Sequence, residues 1–143
     1  MLLIILSGAV LVVISTFIHL AALSGISKLM PRWSAPAHIH IAVFVLMAML
    51  AHIVEIVLFA GGLLFLVALG GRGHLNGLPG YGFTDYVYYS AVTYTTVGFG
   101  DITPSGPLRL FTAMESLTGL LLIAWTASLI FLIMQRHWTQ DKK

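Results

Sequence analysis

Between Thr95 and Asp101 the chain reads Thr-Thr-Val-Gly-Phe-Gly-Asp, with Gly98 and Gly100 at alternate positions of an extended run. Glycine tolerates backbone conformations that strain any residue bearing a Cβ, so such a run can hold successive carbonyls to one side. Carbonyl oxygens collected around an axis would replace the hydration shell of a dehydrated cation. One run supplies only part of such a ring, so this chemistry requires several copies of the loop around the axis.

A second group of residues carries chemistry inside apolar sequence. His52 and Glu55, spaced i,i+3, share one face of a helix at about mid-depth, and Glu115 lies in a later apolar run. Ionisable groups at such depth are costly and point to function. Two carboxyls and an imidazole there make a proton-sensing cluster, with His52 charging between roughly pH 5 and 8. The structural alternative is that His52 and Glu55 pair to fix helix contacts while Glu115 bonds the short helix before the loop or a neighbouring subunit. His19, His38 and His40 form a third set, at the inner end of the first apolar run and the start of the second. Three His without a carboxylate offer either a weak metal site or solvated interfacial side chains.

The elements that must position these residues follow from composition. The 143 residues are 59% hydrophobic and 8% charged, with mean hydropathy +0.99, which excludes an ordinary soluble fold. The absence of Cys excludes disulfides and thiol-ligated metals. Apolar runs at Leu2 to Leu23, Ile39 to Leu69 and Leu108 to Met134 each reach the roughly 20 residues needed to cross a ~30 Å hydrocarbon core. The first run has no basic residue before it and is too long for a signal core, so it is expected to remain as a helix despite the faintly cleavage-like Ala21 to Ser24. A shorter amphipathic stretch from Thr84 to Thr96 leads into the glycine-alternating loop as a re-entrant half-helix, tolerated at membrane depth where protein surrounds it.

The expected class is therefore an all-α membrane protein with three transmembrane helices plus a re-entrant helix and loop. The resemblance of Thr95 to Asp101 to a potassium-channel filter implies that the helix is a pore helix and that the chain assembles as a tetramer, and it implies the divisions that follow. The divisions are an additional N-terminal helix over 1–24, a cytoplasmic loop over 25–37, a pore domain over 38–135 and a tail over 136–143. Within the pore domain lie an outer helix at 38–70, a turret at 71–83, a pore helix at 84–96, a filter at 96–101 and an inner helix at 106–135.

Lys28 and Arg32 in the first connection, with Arg136, Lys142 and Lys143 at the end, predict that these segments face the cytoplasm and that the amino terminus lies outside. Arg72 and Arg109 are minor exceptions. Trp33, Trp138, Tyr81, Tyr86 and Tyr88 are read as interface anchors. Pro104 and Pro107 fit the opening of the third helix. No three-residue repeat of Arg or Lys occurs in the first two runs, which argues against a voltage sensor.

The Thr95 to Asp101 sequence resembles the selectivity filter of potassium channels, with Phe99 where Tyr is commoner. The resemblance extends over the last 80 or so residues, to a single-pore-loop, two-helix-pore bacterial-type channel carrying an additional N-terminal helix. It implies that the carbonyls of Thr96, Val97, Gly98 and Phe99, with Gly100 in the same loop and the Thr96 hydroxyl, coordinate dehydrated K⁺. Thr95 and Asp101 would support the filter. Tyr88 and Tyr89 occupy the positions of a Trp pair in many members, and Tyr88 would supply a hydroxyl to Asp101. Val92 stands where some relatives carry a Glu paired with the filter Asp, and Phe99 lacks the hydroxyl that braces the filter, each a loss of about 0.5–1.5 kcal/mol. Gly119 falls where the family places a gating hinge, or it serves close helix packing. Phe131 and Met134 would line an inner gate or face lipid.

The resemblance further implies no catalysed reaction and no cofactor beyond K⁺ as permeant ion. Partners would be further copies of the chain and membrane lipids, without nucleic acid, and an accessory protein is left open. The location would be a plasma or bacterial inner membrane. Two alternatives stand: a weakly selective monovalent cation channel, and a haem-binding electron-transfer subunit using the six His. The haem reading is disfavoured here because His19 is placed near the inner surface and His52 near the midplane.

Overall fold

The computed structural model describes residues 1–29, 36–70, 73–77 and 82–140. Arg32, Trp33, Arg72, Pro79, Tyr81, Lys142 and Lys143, and the side chains of Arg136 and Trp138, lie outside what it describes, so the orientation and anchoring expectations placed on them have no structural counterpart.

Three helices are long and apolar enough to cross a membrane: α1 (Leu2–Leu29), α2 (Ala37–Ala68) and α4 (Leu108–Gln140). Between α2 and α4 come the two-residue strand β1 (Leu75–Asn76), the short helix α3 (Phe83–Tyr94) and the strand β2 (Thr103–Pro104). Pro36, in extended conformation, precedes α2 and lacks the N–H that a preceding turn would need. At the other end of α2, Gly70 adopts φ 68° and donates its N–H to the Val67 carbonyl, a left-handed helix stop that glycine reaches at little cost.

Several boundaries differ from the sequence reading: α2 ends at Ala68 and not 70, and α4 opens at Leu108 and runs to Gln140 against the expected 106–135. Residues 25–29 continue α1, so the loop expected over 25–37 begins later; Ser24 and Ser27 return their hydroxyls to carbonyls one turn back and add no break. The re-entrant helix ends at Tyr94 rather than Thr96, because Thr96 turns to a positive φ that no helix accepts.

Helix α3 is held at its start by the Asp85 carboxylate, which accepts the Gly82 N–H at 3.2 Å. It packs against α2 and α4, while α1 lies along the opposite side of that pair. Small residues set the crossings: a Cβ at Gly8 would meet the Met114 sulfur at 2.8 Å. One apolar core unites Ile4, Phe59, Leu63, Tyr86, Tyr94 and Phe111, with Phe59 and Phe111 edge to face at 5.9 Å. Tyr86 is 2% exposed, so it is a core residue and not the interface anchor expected of it. The other faces of the three long helices are apolar and exposed on the single chain, as with Phe17, Leu46 and Leu121.

β1 and β2 pair antiparallel, Leu75 opposite Pro104 and Asn76 opposite Thr103. This clip joins the segment before α3 to the segment after the loop. Ser105 N–H donates to the His74 carbonyl at 2.9 Å, and the His74 N–H donates to Ser105 Oγ at 2.9 Å. Leu75 and Ile102 are buried beneath it.

Candidate functional site: a glycine-alternating loop and a buried ring

The loop from Thr95 to Asp101 emerges from the carboxyl end of α3. Thr95 N–H and Oγ1 both donate to the Ala91 carbonyl, the Thr96 N–H donates to the Thr93 carbonyl, and Ser116 of α4 donates to that same carbonyl at 3.1 Å. The chain then doubles back so that Gly98 N–H reaches the Val92 carbonyl at 3.0 Å. Thr96, Gly98 and Gly100 have φ of 60°, 53° and 81°, while Val97 and Phe99 keep negative values. In an ordinary strand successive carbonyls alternate sides; placing a left-handed residue at every second position turns them to a common side. Thr96 is β-branched and left-handed, a conformation costing roughly 1–2 kcal/mol. Nothing lies within 4 Å of a Cβ built on Gly98 or Gly100, so these glycines answer to backbone conformation and not to crowding.

At the far end of the loop the Tyr88 hydroxyl donates to Asp101 Oδ2 at 2.8 Å. That bond, together with partial burial, raises the phenol above its ordinary range. Gly77 of the β1 segment approaches the Asp101 carbonyl so closely that a Cβ would overlap it. Tyr89, beside Tyr88 on α3, turns inward and is 4% exposed. Val92, Thr96 and Gly98 line one side of an open cavity of about 400 Å³, faced by Arg109, Thr112 and Ser116 of α4. Phe99 is 69% exposed on the single chain and makes no brace to α3 among the described hydrogen bonds.

Behind the loop, α4 lies directly against the end of α3. A Cβ at Gly119 would overlap the Tyr94 carbonyl oxygen and stand 2.8 Å from its ring. Close packing is therefore the role that the geometry supports at Gly119, and α4 runs unbroken through it.

The ionisable residues resolve into two places. Glu115 is fully buried, and its carboxyl meets Ser90 of α3. Ser90 Oγ also lies 2.8 Å from the Ile56 carbonyl. A hydroxyl has one proton to give, so both contacts are satisfied when Ser90 donates to the carbonyl and a protonated Glu115 donates to Ser90.

Glu115 does not join His52 and Glu55 by a described hydrogen bond; the partner that does is His19. His19 Nδ1 is 3.0 Å from Glu55 Oε1, and His52 Nδ1 is 3.3 Å from Glu55 Oε2. Tyr94 donates its hydroxyl to Glu55 Oε2 and lies 3.0 Å from His52 Nδ1. Thr126 Oγ1 is 3.1 Å from Nε2 of both imidazoles. Trp125 covers His19 at 5.6 Å between ring centroids. His19, Glu55 and Tyr94 are fully buried.

This placement corrects the expectation that His19 lies near the inner surface with His38 and His40. Because α1 continues to Leu29, His19 sits ten residues, or about 15 Å at 1.5 Å per residue, from its end. Among the described residues the group whose ligand atoms approach within 4.8 Å is His19, His52 and Glu55, without His38 or His40. The objection to haem changes with it: His19 and His52 share a depth, but their ring centroids are 5.0 Å apart with both Nε2 atoms on Thr126, leaving no slot for a macrocycle.

With this geometry established, comparison with known proteins decides the family. The profile of the family Ion_trans_2, described as "Ion channel", matches residues 51–136. The chain belongs to this ion channel family. The matched range holds most of α2, all of α3, the loop and α4, so the channel is an integral membrane protein with a two-helix pore, and α1 stands outside the match. A 57-residue segment is 42% identical to the inward rectifier potassium channel Kirbac3.1 of Paramagnetospirillum magnetotacticum, covering 39% of this chain and 19% of that protein. No solved structure matches the chain at a significant level.

Proposed function

We propose that the chain is one subunit of a homotetrameric channel that conducts K⁺ passively. The observation that carries this reading is the alternation of left-handed residues at Thr96, Gly98 and Gly100 with Val97 and Phe99 between them. Four such loops around an axis present rings of carbonyls from Thr96, Val97, Gly98 and Phe99 that substitute for the hydration shell of a dehydrated cation. The family match and the resemblance of part of the chain to a potassium channel support the choice of ion. The carboxyl end of α3 at Tyr94 and Thr95 aims its partial negative charge toward the start of the loop, which favours a cation there. Asp101, held by Tyr88, shapes the outer mouth.

Three candidate spans support termini on opposite sides of the membrane. Lys28 at the end of α1 supports a cytoplasmic location for that end, with the amino terminus outside and the loop opening outward. The membrane is the cell membrane, and the ligand is the permeant ion alone.

Cation flux from purified protein in liposomes tests this. A K⁺ gradient is expected to drive flux that an equal Na⁺ gradient does not, and Gly98→Ala is expected to abolish it, since a Cβ strains the φ of 53° without meeting any neighbour. Equal Na⁺ flux would show that the unbraced Phe99 has cost selectivity and would favour a weakly selective cation channel. Flux surviving in Gly98→Ala would remove the loop from the pathway.

A further inference from the structure

The buried polar residues behind the loop, together with the part-buried His52, close into a ring. Starting from Glu55 Oε1, the contacts run to His19 Nδ1, from His19 Nε2 to Thr126 Oγ1, on to His52 Nε2, from His52 Nδ1 to the Tyr94 hydroxyl, and from that hydroxyl back to Glu55 Oε2. The five contacts draw on all four helices: His19 on α1, His52 and Glu55 on α2, Tyr94 on α3 and Thr126 on α4.

Each contact needs one proton between its two heavy atoms. Tyr94 and Thr126 bring one each and two neutral imidazoles bring one each, so with an ionised Glu55 the ring is one proton short. With both imidazoles protonated at Nδ1 the shortage falls at Thr126, whose single proton is shared between two Nε2 atoms; with His52 protonated at Nε2 it falls at the contact between His52 Nδ1 and the Tyr94 hydroxyl. Adding one proton completes every contact and makes the cluster electrically neutral, whether the charge is drawn as an imidazolium beside a carboxylate or as two neutral imidazoles beside a carboxylic acid. Neutrality and full pairing are both strongly favoured where water is excluded.

The same four helices also carry Lys28, His38, His40, Asp85, Tyr86, Tyr88, Tyr89 and Arg109; the buried carboxyl besides Glu55 is Glu115 of α4, which is occupied with Ser90. No Lys or Arg makes an ion pair with the cluster among the described residues.

We propose that His19, His52, Glu55, Tyr94 and Thr126 form a closed hydrogen-bonded ring that binds one exchangeable proton and thereby couples the first helix to the start of the filter. Tyr94 is the last residue of α3 and precedes Thr95 and Thr96, so the ring holds the end of the helix from which the loop emerges. Loss of the proton at rising pH leaves a net negative charge in the ring and one contact unmade, and in the tautomer with His52 protonated at Nε2 that contact is the one to Tyr94, which loosens Tyr94. His19 acts through Glu55 and Tyr94 and is a positioning residue. The additional helix is then a functional part of the pore support, although it lies outside the family's matched range.

The functional half of this inference rests on the K⁺ conduction reading; the proton count does not. The test uses the full chain in bilayers, with nitrogen-15 and carbon-13 NMR of the His and Glu55 side chains beside K⁺ flux across a pH series. At neutral pH the four imidazole nitrogens and the Glu55 carboxyl are expected to carry three protons between them, one of which leaves in a single step as pH rises. Flux is expected to fall roughly fivefold over the same step, the equivalent of one ordinary hydrogen bond. His19→Gln and Thr126→Val are expected to flatten the pH profile. A count of two protons at neutral pH overturns the ring, as does a wild-type pH profile in His19→Gln. If the unmodified channel shows no K⁺ flux at any pH, the conduction reading and the coupling to the filter fail together, while the NMR count still decides the ring.

Discussion

Gly119 of α4 lies against the carbonyl of Tyr94 at the end of α3, with no room between them for a Cβ. Helix α4 therefore supports α3 by direct backbone approach at the residue that leads into the glycine-alternating loop.

Gly119→Ala separates packing from hinging by sign. Removing a glycine from a helix interior stabilises it by about 1 kcal/mol where nothing else changes. Here the added methyl meets backbone, and overpacking costs typically about 1–3 kcal/mol. The substitution is expected to lower the thermal midpoint of the assembly in detergent; a raised midpoint with altered gating would restore the hinge reading.

Tyr88→Phe removes the donor to Asp101 and is expected to shorten the time for which K⁺ flux is sustained, without blocking its onset. The pH dependence of this bond follows from the raised phenol. A group whose folded pKa is raised contributes fully below its ordinary value near 10 and loses that contribution as pH rises through the folded value. The Tyr88 bond is thus expected to be indifferent to pH across the neutral range, so any pH response of flux near neutrality should persist in Tyr88→Phe. Its disappearance there would move the sensor to the outer mouth.

Glu115→Gln places an amide donor where a protonated carboxyl would donate to Ser90, and is expected to change stability by less than about 1 kcal/mol. Glu115→Leu leaves Ser90 without that partner and is expected to be the more destabilising of the two in a chemical-denaturation series. The reverse order would show that Glu115 is buried as a carboxylate.

Gly77→Ala tests the clip between β1 and β2. Its φ of 87° and the adjacent Asp101 carbonyl both oppose a side chain, and the left-handed conformation alone costs roughly 1–2 kcal/mol. Flux is expected to become less selective as the Asp101 end of the loop is displaced. Unchanged selectivity would confine the clip to a structural role.

The spans of α1, α2 and α4 are legible because a ~30 Å hydrocarbon core imposes a length on any crossing helix, and hydropathy reports that length residue by residue. The loop from Thr95 to Asp101 is legible for a similarly local reason: glycine at alternate positions is the chemical mark of alternate left-handed φ, and Gly98 and Gly100 carry that φ. The pairing of His52 with Glu55 follows from helical periodicity within one element.

His19 could not be placed in this way. Hydropathy near Ser24 does not say whether the helix stops, and five further residues of α1 change the depth of His19 by about 7.5 Å. Nor does periodicity reveal that Thr126, 107 positions along the chain, reaches the same imidazole. Local order was thus determined by the sequence itself, since its causes are length, hydropathy and backbone freedom at neighbouring residues. The buried ring, the Gly119 contact and the burial of Tyr86 were decided by tertiary structure alone, because they depend on which faces of four helices meet.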